Sequence, residues 1–221
     1  MATLPKKTPV KAPALPRQLL VLTQAPAAGE ITLEAVQLNE VELADGTTCD
    51  WRVEDALLRK VTGLRVLLCK CSFVNCKMDL CNFTGAEWMQ PRLRRVEIAN
   101  CRLDAVTWFE ADCRDVLFRQ CRITHASLMY GRFQSVRFED CDLSGTRFDE
   151  SGLGGVTFER CNLSGASFNG ADLTGTDLRS STLDGLLAGP RDLMGAVIAP
   201  EQASQVVHVL GVTVKAVGEE L

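Results

Sequence analysis

From Leu33 to Leu183 every fifth residue is large and apolar, with three exceptions. The series includes Leu68, Phe73, Met78, Phe83, Trp88, Leu93, Ile98, Leu103 and Trp108, and later Phe133, Phe138, Leu143, Phe148, Leu153 and Phe158. The exceptions are Thr48, Gly63 and Cys113. Two residues before each of these positions lies a second register of small side chains, such as Cys101, Val106, Ala111, Val116, Cys121 and Ala126. A helix repeats its buried face every 3.6 residues and a strand every 2, so neither explains a period of five. A chain with this period turns a corner every five residues, sending two side chains inward and three outward. Stacked coils of such a chain bury together what one coil cannot.

The segments Cys141-Asp142-Leu143-Ser144-Gly145, Cys161-Asn162-Leu163-Ser164-Gly165 and Ala171-Asp172-Leu173-Thr174-Gly175 resemble the repeats of the pentapeptide-repeat family. The resemblance covers roughly residues 31 to 185. It implies an all-β solenoid, a right-handed four-sided β-helix with four pentapeptides per coil. The chain would then form about eight coils and a rod of roughly 37 Å at the spacing of paired strands. Glycines at the last repeat position suit corners that need a positive φ. Trp51 is too large for a small slot, and Gly63 is too small for a large one, so the path around residues 46 to 66 is expected to be distorted.

If four pentapeptides make one coil, residues twenty apart share a face. Cys81, Cys101, Cys121, Cys141 and Cys161 then form one inward column. A metal site needs about four ligands converging on a point, whereas this column spreads its thiols along the rod. They are read as small buried hydrophobes. The outward position after the large residue reads Cys49, Cys69, Met89, Phe109, Met129, then Asp149 and Asn169. Cys69, Met89, Phe109 and Met129, with Tyr130 beside them, make an apolar stripe, the candidate protein-interaction surface. The competing reading is that the N-terminal segment folds back over the stripe. Cys49 and Cys69 would be neighbours on adjacent coils.

Charge is banded. Residues 30 to 58 hold eight acids and one base, residues 59 to 138 fourteen bases and seven acids, and residues 139 to 184 nine acids and three bases. Arg92, Arg94, Arg95, Arg114 and Arg132 share one face, with Asp112 and Asp115 among them. A net charge of -4 does not suit a general nucleic-acid binder.

Residues 1 to 30 read as a flexible, basic segment rich in Pro, Ala and Lys, with an initial strand or cap over residues 17 to 36. Residues 31 to 185 are the β-helix and residues 186 to 221 a C-terminal cap. Pro200 suits the first turn of a helix over about 200 to 210. Ala203, Val206, Val207 and Leu210 make its apolar stripe, and Val212 and Val214 alternate as a short strand over 212 to 216. This tail would cover the open end of the solenoid. It resembles the cap through which several bacterial members of the family dimerise, which implies a homodimer through these residues.

No catalytic, cofactor-binding or metal-binding constellation is present in the sequence, and an enzyme is not expected. The run Leu19–Leu22 is a poor signal-peptide core, and no stretch approaches the ~18 to 20 apolar residues that span a bilayer. A cytoplasmic protein with reduced thiols is expected. The reading is a rigid, non-enzymatic binding module for a protein partner, with no direct nucleic-acid contact and no membrane. The resemblance supplies an alternative, a DNA mimic that binds DNA gyrase and protects it from quinolones or related toxins. A purely structural spacer is the third reading.

Overall fold

The computed structural model describes residues 9–25, 29–44 and 48–215. Among them, thirteen strands form one parallel sheet that winds into a solenoid of about seven turns, with a short helix at the C-terminal end. Most strands pair with the segment twenty residues further on, while Leu20–Leu22 pairs sixteen residues on and Thr48–Cys49 nineteen. The chain has four faces per turn, here numbered in chain order. The first face buries Val53, Phe73, Leu93, Cys113, Phe133 and Leu153, and the second Leu58, Met78, Ile98, Phe118, Phe138 and Phe158. The third buries Leu43, Phe83, Leu103, Ile123, Leu143 and Leu163, and the fourth Leu68, Trp88, Trp108, Leu128, Phe148 and Phe168. Strands Ser72–Asp79, Arg92–Ala99, Asp112–Arg119 and Arg132–Glu139 each run through the corner between the first and second faces.

The five-residue period has a backbone cause. Nearly every fifth residue adopts the left-handed region, from Ala35 (φ 52°) to Gly195 (φ 80°). Where Gly holds this place, the next residue's N–H bonds back across the corner, as in Ala166 N–H to the Leu163 carbonyl at 3.0 Å. A turn with positive φ at its third residue demands this geometry. The rings stack from coil to coil. Trp88 lies on Trp108 with centroids 4.8 Å apart, and Phe118, Phe138 and Phe158 follow at 4.5 and 5.0 Å. The indole N–H groups of Trp51, Trp88 and Trp108 are buried without a hydrogen-bond partner. Each gives up part of what its ring gains by burial.

The small inward slots do more than avoid a clash. The Ser151 and Thr176 hydroxyls donate to the carbonyls of Leu128 (2.9 Å) and Leu153 (2.8 Å), 23 residues back in the preceding turn. The thiols of Cys81, Cys121 and Cys161 make the same contact with Leu58, Ile98 and Phe138 at 3.3–3.5 Å. The thiol column is therefore a ladder of weak donors to buried carbonyls. Burial pushes the Cys76 thiol up to about 12. It raises Cys113 further, with the charge of Asp112 adding to the effect.

The register corrects the sequence reading at one place. Thr48 and Cys49 pair with Leu67 and Leu68, whereas Arg52 pairs with Ser72. One residue, Asp50, spans the corner that Cys69 and Lys70 span one turn later. Cys49 rather than Thr48 thus pairs in register with Leu68, and it does not align with Cys69. The slip accompanies full burial of Trp51, in register with Ile31. At Gly63 an added Cβ would meet Phe83 at 3.1 Å and Leu43 at 3.2 Å, so those two side chains already fill the missing volume.

The two ends also differ from expectation. Residues 1–8 lie outside the described residues. From Pro9 the N-terminal segment lies along the corner between the first and second faces, crossing several coils. Ala14 exchanges two hydrogen bonds with the Asn75 side chain, at 2.7 and 2.9 Å, and Lys11 N–H reaches Asp115 at 3.4 Å. Leu20–Leu22 then pairs with Val36–Leu38. At the other end, Pro200–Gln202 and His208–Leu210 are 3-10 turns flanking a helix over Ala203–Val207. Gly211 closes it in the left-handed region. Residues 212–215 are not a strand. Val212 and Val214 are exposed, with no pleated surface for them to pack against. Residue 216, the end of the expected strand, lies outside the described residues.

Candidate protein-interaction surface

The parallel register of Leu67–Cys69, Glu87–Met89 and Thr107–Phe109 puts Cys69, Met89 and Phe109 in one line on the fourth face. The bridge from Thr107 to Ser127 continues the column to Met129. Each of these residues follows a buried Leu or Trp and therefore points outward. Met89 is 39% and Phe109 37% exposed, while Cys69 and Met129 are half-buried. Tyr130, at the next corner (φ 58°), is 47% exposed and meets Phe109 edge-on with centroids 5.5 Å apart. The column ends at Asp149, whose carboxylate takes Arg147 Nε at 3.0 Å, the Asn169 N–H at 3.2 Å and the Ser167 hydroxyl. The described N-terminal segment bonds to Asn75 and Asp115, on a different corner, and does not make the alternative fold-back over this stripe.

Beside the stripe, the corner between the fourth and first faces forms a groove lined by Gln90, Arg92, Glu110, Asp112, Tyr130 and Arg132. Gln90 Nε2 donates to Glu110 at 2.7 Å. Several other charges pair internally. Lys60 meets Glu40 at 2.6 Å, Arg122 meets Asp104 at 3.0 Å, and Arg119 reaches Glu97 and Glu139 at 3.5 and 3.1 Å. In the last acidic coils Arg160 binds Asp140 at 2.6 Å, and Arg179 binds Asp177 at 2.8 Å. The hydrogen bond from Arg160 holds the Asp140 carboxyl below its ordinary range.

The cap residues are brought together only in part. Val206 packs on the core, and Val207 is half-buried. Ala203, Val212 and Val214 are exposed, as are Leu187 and Met194 nearby in the chain. The Leu210 side chain lies outside the described residues. The residue that closes the solenoid is one that a search for apolar periodicity passes over. Gln202 is buried, donates to the carbonyls of Leu178 (2.8 Å) and Ser181 (2.6 Å), and accepts from Ala199 N–H at 2.7 Å. Among the described residues no group of His, Cys, Asp and Glu could hold a metal ion, and no helix is long and apolar enough to cross a membrane.

Residues 111–187 match the family model described as a pentapeptide repeat region. These residues form a pentapeptide repeat region. The match covers the more regular C-terminal half, and the same corner geometry extends back to Ala35. Among solved structures the chain is similar to trypsin-treated QnrB1, a plasmid-mediated fluoroquinolone resistance protein. The two are 16% identical, with 86% of this chain and 100% of that one covered and a TM-score of 0.40. It is also similar to HetL of the cyanobacterium Nostoc sp. strain PCC 7120, a pentapeptide-repeat protein involved in heterocyst differentiation regulation. There the identity is 19%, the coverage 76% of this chain and 85% of that one, and the TM-score 0.33. No curated protein matches the chain.

Proposed function

We propose that this chain is a rigid, non-enzymatic module that binds a protein partner through its fourth face. The observation that carries the reading is the contiguous exposed line Met89–Phe109–Tyr130, continued by half-buried Cys69 and Met129. Elsewhere on a tightly wound rod the outward positions are mostly polar. A connected apolar patch with an aromatic pair suits the desolvated centre of an interface. A reducing compartment, the cytoplasm, suits the free thiols among the described residues. Ala203, Val212 and Val214 support a homodimer through the C-terminal end. In that case a light-scattering mass of two chains should fall to one in Val212→Asp/Val214→Asp.

The DNA-gyrase alternative draws on the acidic band 139 to 184. The pairing of Asp140 and Asp177 with arginines weakens the likeness of that band to a row of phosphates. Affinity capture with the intact chain and with Met89→Asp/Phe109→Asp/Met129→Asp tests the proposal. A stoichiometric partner held by the intact chain and lost by the triple variant is expected. Equal capture by both removes the role of the stripe. Rescue of gyrase supercoiling in the presence of a quinolone would put the alternative first.

A further inference from the structure

The basic band is not uniformly neutralised, and its uncompensated charge lies beside the apolar stripe. Arg92, Asp112 and Arg132 stack in one column of the first face. Asp112 is held by Arg94 of the neighbouring column, with Nη1–Oδ1 at 3.1 Å and a second contact from Nη2 to Oδ2. Arg92 and Arg132 therefore have no ion pair among the described residues, and both line the groove with Tyr130. Arg95 and Arg114 on the same face are likewise without an ion pair. Asp115, next to Arg114 in the chain, accepts the Lys11 N–H at 3.4 Å.

We propose that this corner docks a short acidic segment of the partner protein, in extended polyproline-II form, with two carboxylates three residues apart on Arg92 and Arg132. An apolar side chain of the same segment then covers Phe109 and Tyr130. The inference rests on the protein-binding reading above and names the chemistry of the partner. Two turns of the solenoid separate the arginines by about 9.6 Å. A polyproline-II chain presents every third residue on one side at a spacing of about 9.3 Å. Arg and Tyr are also the residue types that dominate binding hot spots. Glu110 projects from the intervening turn, which disfavours a third acid between the two. The flanking bands, net −7 over residues 30 to 58 and −6 over residues 139 to 184, would repel a long polyanion running past the corner. A short acidic peptide fits this pattern and a nucleic acid does not.

A phage library of random 12-residue peptides panned on the full-length chain tests this. The expected winners carry acid-x-x-acid with an apolar neighbour. They should lose about tenfold in affinity with Arg92→Ser or Arg132→Ser, weaken as salt rises and weaken with Phe109→Asp. Both arginine changes lie outside the core, and an unchanged thermal midpoint would confirm that the variants fold. Peptides lost with Phe109→Asp but kept by Arg92→Ser/Arg132→Ser would overturn the acidic assignment and leave protein binding standing. Failure to enrich any arginine-dependent peptide would also overturn it. So would an oligonucleotide that binds through these arginines more tightly than any peptide, making the corner a nucleic-acid site.

Discussion

Between residues 60 and 140 the corners are built from non-glycine residues in the left-handed region, among them Lys, Arg, Asn, Gln, Asp, Glu, Leu and Tyr, and Gly85 is the one glycine. From Gly145 on, glycine takes most corners, at 155, 165, 170, 175 and 185. The strands divide in the same way. The first region has eight-residue strands running through a corner. Beyond Glu139 the described residues hold one three-residue strand, Thr157–Glu159, and otherwise isolated bridges. Left-handed backbone costs a non-glycine residue roughly 1–2 kcal/mol. The first region bears that cost repeatedly, and its longer ladders and stacked indoles offset it. In return its corners carry side chains. Gln90, Glu110 and Tyr130, which edge the candidate groove, are all corner residues. The fold is specified by what points inward, which leaves the corners free for recognition.

If that is right, the inward stack should matter equally in both regions. Phe138 lies between Phe118 and Phe158, and Phe168 stacks on Phe148 at 5.2 Å. Phe138→Ala and Phe168→Ala should each cost about 3–5 kcal/mol, measured by denaturant unfolding. A loss at Phe168 below half that at Phe138 would show that the last coils unfold on their own, as terminal repeats can.

The regions differ again in their small slots: the second region places hydroxyls at Thr146, Ser151, Thr176 and Ser181 beside the thiols of Cys141 and Cys161, whereas the first has thiols and no hydroxyl there. The Cys76 thiol is raised by burial from 9.0 to about 12. The folded chain thus keeps a proton that the unfolded chain releases. Stability from this group is full below about pH 9 and is lost as pH rises toward 12. The slope is about 1.4 kcal/mol per pH unit. Hydrogen exchange should show the thiol-rich turns opening first in alkali, and Cys76→Ala should flatten the slope. Simultaneous opening of both regions would mean that the thiols are not the cause.

At the C-terminal end, Gln202→Ala should cost about 1–3 kcal/mol, because it strips the donors from two buried carbonyls. Hydrogen exchange near Leu178 and Ser181 should rise with it. Unchanged exchange there would make the plug dispensable.

The inward pattern was legible because it depends on side-chain size alone, and a strict period of five has few geometric solutions. The same reasoning placed Cys69, Met89, Phe109, Met129 and Tyr130 on one edge. It lost the slip at Asp50 because strand register is set by pairing, and Thr48, Trp51 and Gly63 break the size pattern together. It passed over Gln202, whose burial depends on two carbonyls left at the end of the stack. The N-terminal strap was hidden by composition. A Pro- and Ala-rich run reads as flexible, but it is anchored by Asn75, a polar residue that the outward frame made look ordinary.

The smallest effect tests the comparison most directly. Leu80 is an exposed corner at φ 55°, and Gly165 is a corner at φ 67° with open space where a Cβ would stand. Leu80→Gly removes a left-handed penalty of about 1–2 kcal/mol and adds glycine's backbone entropy of about 0.5–1. A net gain of about 0.5 kcal/mol is expected. Gly165→Ala should lose about 1 kcal/mol without any clash, by strain alone. Opposite signs at the two sites would show that the corners are interchangeable in geometry and differ only in cost. A loss at Leu80 would show instead that the exposed side chain is held by contacts of its own. Corner identity would then be part of what specifies the first region.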